Sequence, residues 1–216
     1  EKKILPREEE APEKVRIAVA RDEAFSFYYE ENMRLLKRKG AEICYFSPIH
    51  DRELPEEIDG LILGGGYPER FAKELEQAAA MRESIRTACE NGLPCLAECG
   101  GFLYLQRELE DEQGRKYEMA GLLPDSGYRR EKLTRFGYME AEIVRGGLLG
   151  GPGERLRGHE FHYWDCTQNG EDFLARKPLG GQSYSCIVHE NRLAAGFPHF
   201  YYYNNPGVID LSLIHI

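Results

Sequence analysis

Cys99 sits in Leu96-Ala97-Glu98-Cys99-Gly100-Gly101, where a short apolar run gives way at once to glycines and then to FLYLQREL. This reads as a buried strand, a sharp turn and the start of a helix, the form of a nucleophile elbow. Such a turn lifts the thiol above the sheet edge, and the glycines leave room for close packing of a strained backbone. The helix start favours the thiolate, and its free N–H groups can receive an oxyanion. A buried structural cysteine is the competing reading, and it is the one adopted for Cys44, Cys89 and Cys95.

Gly64-Gly65-Gly66-Tyr67-Pro68 also follows an apolar run and precedes a helical pattern. Its amides suit the second half of an oxyanion hole. A phosphate cradle and a plain turn are the alternatives, although the chain has no G-x-x-x-x-G-K-[ST] pattern and this run lacks G-x-G-x-x-G spacing. A cysteine hydrolase also needs a histidine to accept and return the proton. The six candidates are His50, His159, His162, His189, His199 and His215. His50 lies in a polar turn and His215 near the last residues given, so both read as solvated. His159 and His162 are three apart in a strand pattern and face opposite sides, which weakens a metal site built with Cys166. His199 follows LAAGF and a proline, a strand end, and is the first candidate for the base, with His162 next.

The elements that must carry these groups alternate. VRIAVA from Val15 is a buried strand, followed by a helix over Tyr28 to Lys39 with Tyr29, Met33 and Leu36 at helical spacing. Glu42 to Phe46 and Asp59 to Leu63 are further strands. Pro68 opens a helix expected to run to about Glu90, Pro94 to Ala97 is a fourth strand, and GGFLYLQREL is a helix. This is a doubly wound parallel α/β sheet. The second half carries strand patterns at Arg135 to Val144, Gly158 to Asp165, Gln182 to Val188 and Arg192 to Phe197, expected to extend or flank the sheet as antiparallel strands.

The chain has 216 residues, enough for one large domain. Residues 1–14 are charged and aperiodic and read as a linker, 15–209 as the domain, and 210–216 as a tail of foreign or out-of-frame origin. With 28 Lys and Arg against 37 Asp and Glu, the net charge is −9, which argues against nucleic acid or an anionic membrane as partner. No apolar stretch reaches the roughly 18 to 20 residues of a membrane span, and no signal pattern is present. A cytoplasmic protein with reduced thiols is expected. The basic hairpin Arg129, Arg130, Lys132 and Arg135 reads as a solvated turn or a meeting point for a polycarboxylate, and Tyr201-Tyr202-Tyr203 as core or interface.

KVRIAVARDEAFSFYYEENMRLL, FSPIHDRELPEEIDGLILGGGYPE, LAECGGFLYL, GHEFHYW and AGFPH, in this order over Lys14 to Pro206, closely resemble the C-terminal glutaminase domain of the cobyrinic acid a,c-diamide synthase family. The resemblance implies a flavodoxin-like class I glutamine amidotransferase fold, with a mostly parallel central sheet, helices on both faces and added antiparallel strands. It implies that Cys99 attacks glutamine, that His199 is the base, and that Gly65 or Gly66 holds the oxyanion together with Gly100. Glu160, His162 and Tyr67 are candidates for contact with substrate or with another domain. The implied partners are glutamine, an N-terminal P-loop synthetase domain of the same polypeptide that uses ATP and Mg²⁺, and cobyrinic acid or a related tetrapyrrole. No metal or cofactor is expected in these residues. Alternatives are a nickel-sirohydrochlorin a,c-diamide synthase, a flavodoxin-like cysteine peptidase or deglycase, and a non-catalytic tetrapyrrole-binding domain. One departure stands out: many triad amidotransferases carry a glutamate two residues after the histidine, where this chain has Tyr201, so the group that orients His199 is not identified.

Overall fold

The computed structural model describes residues 15–178, 180–190 and 192–209. The linker and tail expected at 1–14 and 210–216 lie outside the described residues. The central sheet has the order Val188–His189, Leu193–Gly196, Cys95–Glu98, Gly60–Leu63, Val15–Ala20, Ala41–Phe46. All neighbours are parallel except Val188–His189, which pairs antiparallel with Leu193–Gly196. Counted along the chain, the five parallel strands have the flavodoxin order 2-1-3-4-5. The pattern of Arg192 to Phe197 predicts an added antiparallel strand; its core, Leu193–Gly196, instead joins in parallel beside Cys95–Glu98. Small, apolar Ala194 to Gly196 are buried there, as an inner position covered on both faces requires.

Period-2 alternation divides the core between the two faces of this sheet. Ala18, Ala20, Leu61, Leu63, Cys95 and Ala97 pack on one side with Met81, Ile85 and Phe102 from helices Ala79–Glu90 and Gly100–Leu105. Ile17, Val19, Ile62 and Leu96 point to the other, against Met33, Leu35 and Leu36 of helix Glu30–Arg38. That second side is completed by an antiparallel sheet ordered Ser183–Cys186, Phe173–Arg176, Arg135–Ile143, Arg155–His162, His199–Phe200, which contributes Met139, Ala141, Leu156 and Phe173. A further sheet comprises Trp164–Cys166, Ser126–Arg129, Glu108–Glu110 and Lys116–Glu118. Phe25–Phe27 pairs with Gly65–Gly66.

Two helices differ from their sequence patterns. The stretch from Pro68 is divided into a 3₁₀ turn Pro68–Phe71 and helices Ala72–Gln77 and Ala79–Glu90, because Ala78 leaves helical geometry at ψ 50°. The guanidinium of Arg82 donates to the Glu76 carbonyl at 3.0 Å and to the Met119 carbonyl at 3.0 Å, satisfying an acceptor near the break. The helix expected through GGFLYLQREL stops at Leu105 and is followed by strand Glu108–Glu110. All six of its residues are buried, so it is set by its surroundings and has no solvent face to extend. Gly158 to Asp165 likewise divides into Arg155–His162 and Trp164–Cys166, which pair in different sheets.

Gly101 marks where this helix meets the sheet: a Cβ there would lie 2.0 Å from the Leu63 carbonyl oxygen. Because backbone cannot yield as a flexible side chain can, Gly101→Ala is expected to destabilise the fold by about 2–3 kcal/mol, read from urea midpoints at unchanged slope.

Candidate active site

Cys99 terminates strand Cys95–Glu98 and caps helix Gly100–Leu105 at φ 50°, ψ −100°, a region in which a side chain costs about 1–3 kcal/mol. The surrounding hydrogen bonds hold it there. Its N–H donates to the Gly196 carbonyl at 2.7 Å, its carbonyl accepts from Leu103 N at 3.0 Å, and Gly101 N–H donates to the Gly64 carbonyl at 2.9 Å. The Gly100 amide, first in the helix, has no intrahelical acceptor. Gly66 comes so close that a Cβ on Gly100 would lie 3.0 Å from the Gly66 nitrogen. Two main-chain amides therefore flank the turn that bears the thiol. Gly66 has φ 155°, and a Cβ there would meet the Ala24 carbonyl oxygen at 1.9 Å.

His199 lies in strand His199–Phe200, three residues beyond Gly196, and is buried. Cys99 is the charged neighbour that acts on it most strongly. Gly65 leaves space for its ring, since a Cβ there would sit 2.3 Å from the imidazole Cε1. On its far side, Nδ1 is 3.7 Å from a carboxylate oxygen of Glu98, longer than a hydrogen bond, and Nδ1 has no hydrogen-bond partner. Burial alone would lower the pKa of His199. The charges of Cys99 and then of Glu98 outweigh it and raise the imidazole to about 10.

Aromatic groups close over this pair. Phe27 meets the His199 ring edge-on at 4.7 Å, and His159 stacks on it at 5.0 Å with 20° between planes. The Tyr29 hydroxyl lies 2.6 Å from His159 Nδ1. Burial, then the charge on His199, lowers the pKa of His159. His159 and His162 do face opposite sides, but it is the more exposed of the two that touches His199. His162 hydrogen-bonds the Trp164 carbonyl at 2.6 Å through Nδ1 and lies flat on Phe197 at 3.8 Å. Burial lowers its pKa to about 4.

Glu160 is also turned away from His159, buried, and receives a hydrogen bond from the Tyr184 hydroxyl; burial raises its pKa. Tyr67 stands exposed after the glycine run, its N–H on the Ala24 carbonyl at 3.0 Å. His50 pairs with Glu23 at 3.0 Å on the surface. His189 is fixed between the Arg145 carbonyl and Leu149 N. His215 lies outside the described residues. Three members of the basic hairpin are engaged within the protein: Arg129 with the Glu112 carbonyl, Arg130 with Asp165, Arg135 over the Tyr184 ring. Of the tyrosine run, Tyr202 is buried and Tyr201 is exposed beside Tyr29. All six cysteines are free. Among the described residues no helix is long and apolar enough to cross a membrane.

A strained thiol, an adjacent imidazole and two main-chain amides at the carboxyl ends of parallel strands form the constellation of a cysteine acyl-transfer site. Residues 16–206 match the CobB/CobQ-like glutamine amidotransferase domain. The chain belongs to that family. It is 43% identical over 196 residues to a cobyrinate a,c-diamide synthase of Dehalococcoides mccartyi, covering 88% of this chain and 42% of that relative. To the cobyrinate a,c-diamide synthase of Salmonella typhimurium it is 48% identical over 149 residues, 69% of this chain and 32% of the relative. The chain thus spans less than half the length of these relatives. In fold it is similar to PurLQS from Thermotoga maritima, with TM-score 0.60 at 18% identity, covering 86% of this chain and 87% of that one. A glutamine amidotransferase from Thermotoga maritima gives TM-score 0.56 at 18% identity, with 86% of this chain and 75% of that one covered.

Glu98, His159, Tyr29 and Phe27 are not among the site residues that the sequence singles out. For Glu98 a signal is present: a carboxylate ending an otherwise apolar strand, next to the thiol. His199 adds stability wherever its folded pKa exceeds the unfolded value. That contribution is complete below about pH 6.5 and is lost as pH rises through about 10. Because Cys99 is the leading source of the rise, Cys99→Ser is expected to lower the His199 midpoint, measured by NMR titration of the ring.

Proposed function

We propose that this chain is the glutaminase portion of an ATP-dependent amidoligase that supplies ammonia for amidation of the a and c carboxylates of cobyrinic acid. The observation that carries the reading is the Cys99–His199 pair beside the amides of Gly66 and Gly100, in a chain whose relatives are named cobyrinate a,c-diamide synthase. Cys99 attacks the side-chain amide carbon of glutamine, and the oxyanion is taken up by the Gly66 and Gly100 N–H groups. His199 passes a proton to the nitrogen as ammonia leaves, forming a glutamyl thioester. Water, deprotonated by the same imidazole, then releases glutamate and regenerates the thiol.

ATP and Mg²⁺ would serve the other half-reaction, activating the carboxylates. This chain lacks a P-loop lysine motif, so those groups are assigned to the remaining length of the relatives and no step here runs through them. The partner is accordingly a synthetase domain, and the final acceptor a tetrapyrrole polycarboxylate.

Labelling with 6-diazo-5-oxo-norleucine is expected to modify Cys99 and spare the other five thiols, as read by peptide mass spectrometry. Modification elsewhere with Cys99 untouched overturns the reading. Cys99→Ala is expected to reduce ammonia release from glutamine by about 10³-fold or more, and His199→Ala by about 10²–10⁴-fold, with the fold retained by circular dichroism.

A further inference from the structure

The imidazole of His199 is buried and unpaired at Nδ1, and a buried ring nitrogen without a partner is costly. Glu160 is on the other face of its strand and is bound by Tyr184. Asp165 accepts from Cys166 N at 3.0 Å and from Asn169 at 2.8 Å, and pairs with Arg130. Tyr201, two residues after the histidine, packs against Tyr29 and is not a carboxylate. Glu98 is different: it is largely buried, one oxygen accepts from Phe200 N–H at 3.2 Å, and the other faces Nδ1 at 3.7 Å.

We propose that Glu98 is the positioning residue that orients His199, so that the strand bearing the nucleophile also supplies the acid that aligns its base. This rests on the reading of Cys99 and His199 as a glutaminase pair. The Phe200 bond fixes the carboxylate against the backbone of the residue after His199, so its second oxygen can reach Nδ1 only along the histidine strand. Nε2 is then turned to Cys99. Closing from 3.7 Å to hydrogen-bond distance requires a shift of less than 1 Å, of the kind by which catalytic hydrogen bonds tighten when substrate binds. The arrangement places the His199 ring between Cys99 and Glu98, with His159 stacked on it. The charged and titratable groups that act on His199 are Cys99 and Glu98, and the ring in turn acts on His159, His162 and Glu160.

Glu98→Gln keeps an acceptor for Phe200 N–H and removes the charge; Glu98→Asp keeps the charge on a shorter arm. In NMR titration of the His199 ring, Glu98→Gln is expected to bring the midpoint from about 10 to about 9 or below, while Glu98→Asp recovers most of the difference. Glutamine turnover by Glu98→Gln should lose about 10²-fold in kcat with KM within about threefold, because the group acts on the base and not on substrate binding. An unchanged His199 midpoint in Glu98→Gln overturns the proposal, as does a loss of turnover that Glu98→Asp does not partly rescue. A wild-type chain that shows the Glu98-dependent midpoint but no glutamine turnover would support the pairing and count against the glutaminase reading, so the two fail separately.

Discussion

Parallel pairing of Cys95–Glu98 with Leu193–Gly196 is the constraint on which the site depends. Gly196 stands level with Glu98, and the ladder is continued past the strand end by the bond from Cys99 N–H to the Gly196 carbonyl at 2.7 Å. Cys99 is therefore one residue, and His199 three residues, beyond the same edge of one sheet. Both faces of this pair are buried, so a slip of one residue would exchange Leu96 with Ala97 between two filled cores. Register is thus enforced by packing, and the separation of Cys99 from His199 inherits that enforcement.

Close approach at this edge is possible because side chains are missing where backbones meet. Gly65 admits the imidazole, Gly66 and Gly100 bring two amides together, and Gly101 lets the helix rest on Leu63. The strain at Cys99 is sustained by a helix whose six residues are all buried, since relaxing the turn would disturb that packing. Electrostatics follows the same logic. Low polarity around the site would discharge His199, yet Cys99 and Glu98 on either side reverse the effect. For the other two histidines burial prevails: it lowers the pKa of His159, and at His162 it outweighs the Trp164 carbonyl and Asp165.

The aromatic enclosure joins distant segments. Phe27 comes from the strand that pairs with the glycine run, Tyr29 caps helix Glu30–Arg38, and His159 belongs to the antiparallel sheet. The added sheet does more than cover the second face of the core: by pairing His159 with His199 it stacks one imidazole on the other. Solved structures under 20% identical share the fold alone, whereas relatives above 40% are similar along most of the chain.

Local sequence determined a good deal. Apolar runs ending in Cys99 and in Gly64–Gly66 placed the elbow and the glycine turn at strand ends, because a strand buried on both faces must be apolar and its exit must turn sharply. The proline after AGF marked the strand end that leads to His199. Tertiary structure alone decided the rest. Helix Gly100–Leu105 stops early where the Tyr104 and Leu105 carbonyls accept from Ala120 N and Leu123 N, and at the Ala78 break Arg82 donates to the Glu76 and Met119 carbonyls. Arg192 to Phe197 has the same pattern whether it runs parallel or antiparallel; only its neighbour, Cys95–Glu98, decides. Glu98 and His159 acquire their roles in the same way. Each lies beside His199 only through strand pairing across long stretches of chain, and strand alternation specifies which face a residue occupies but not what stands opposite it.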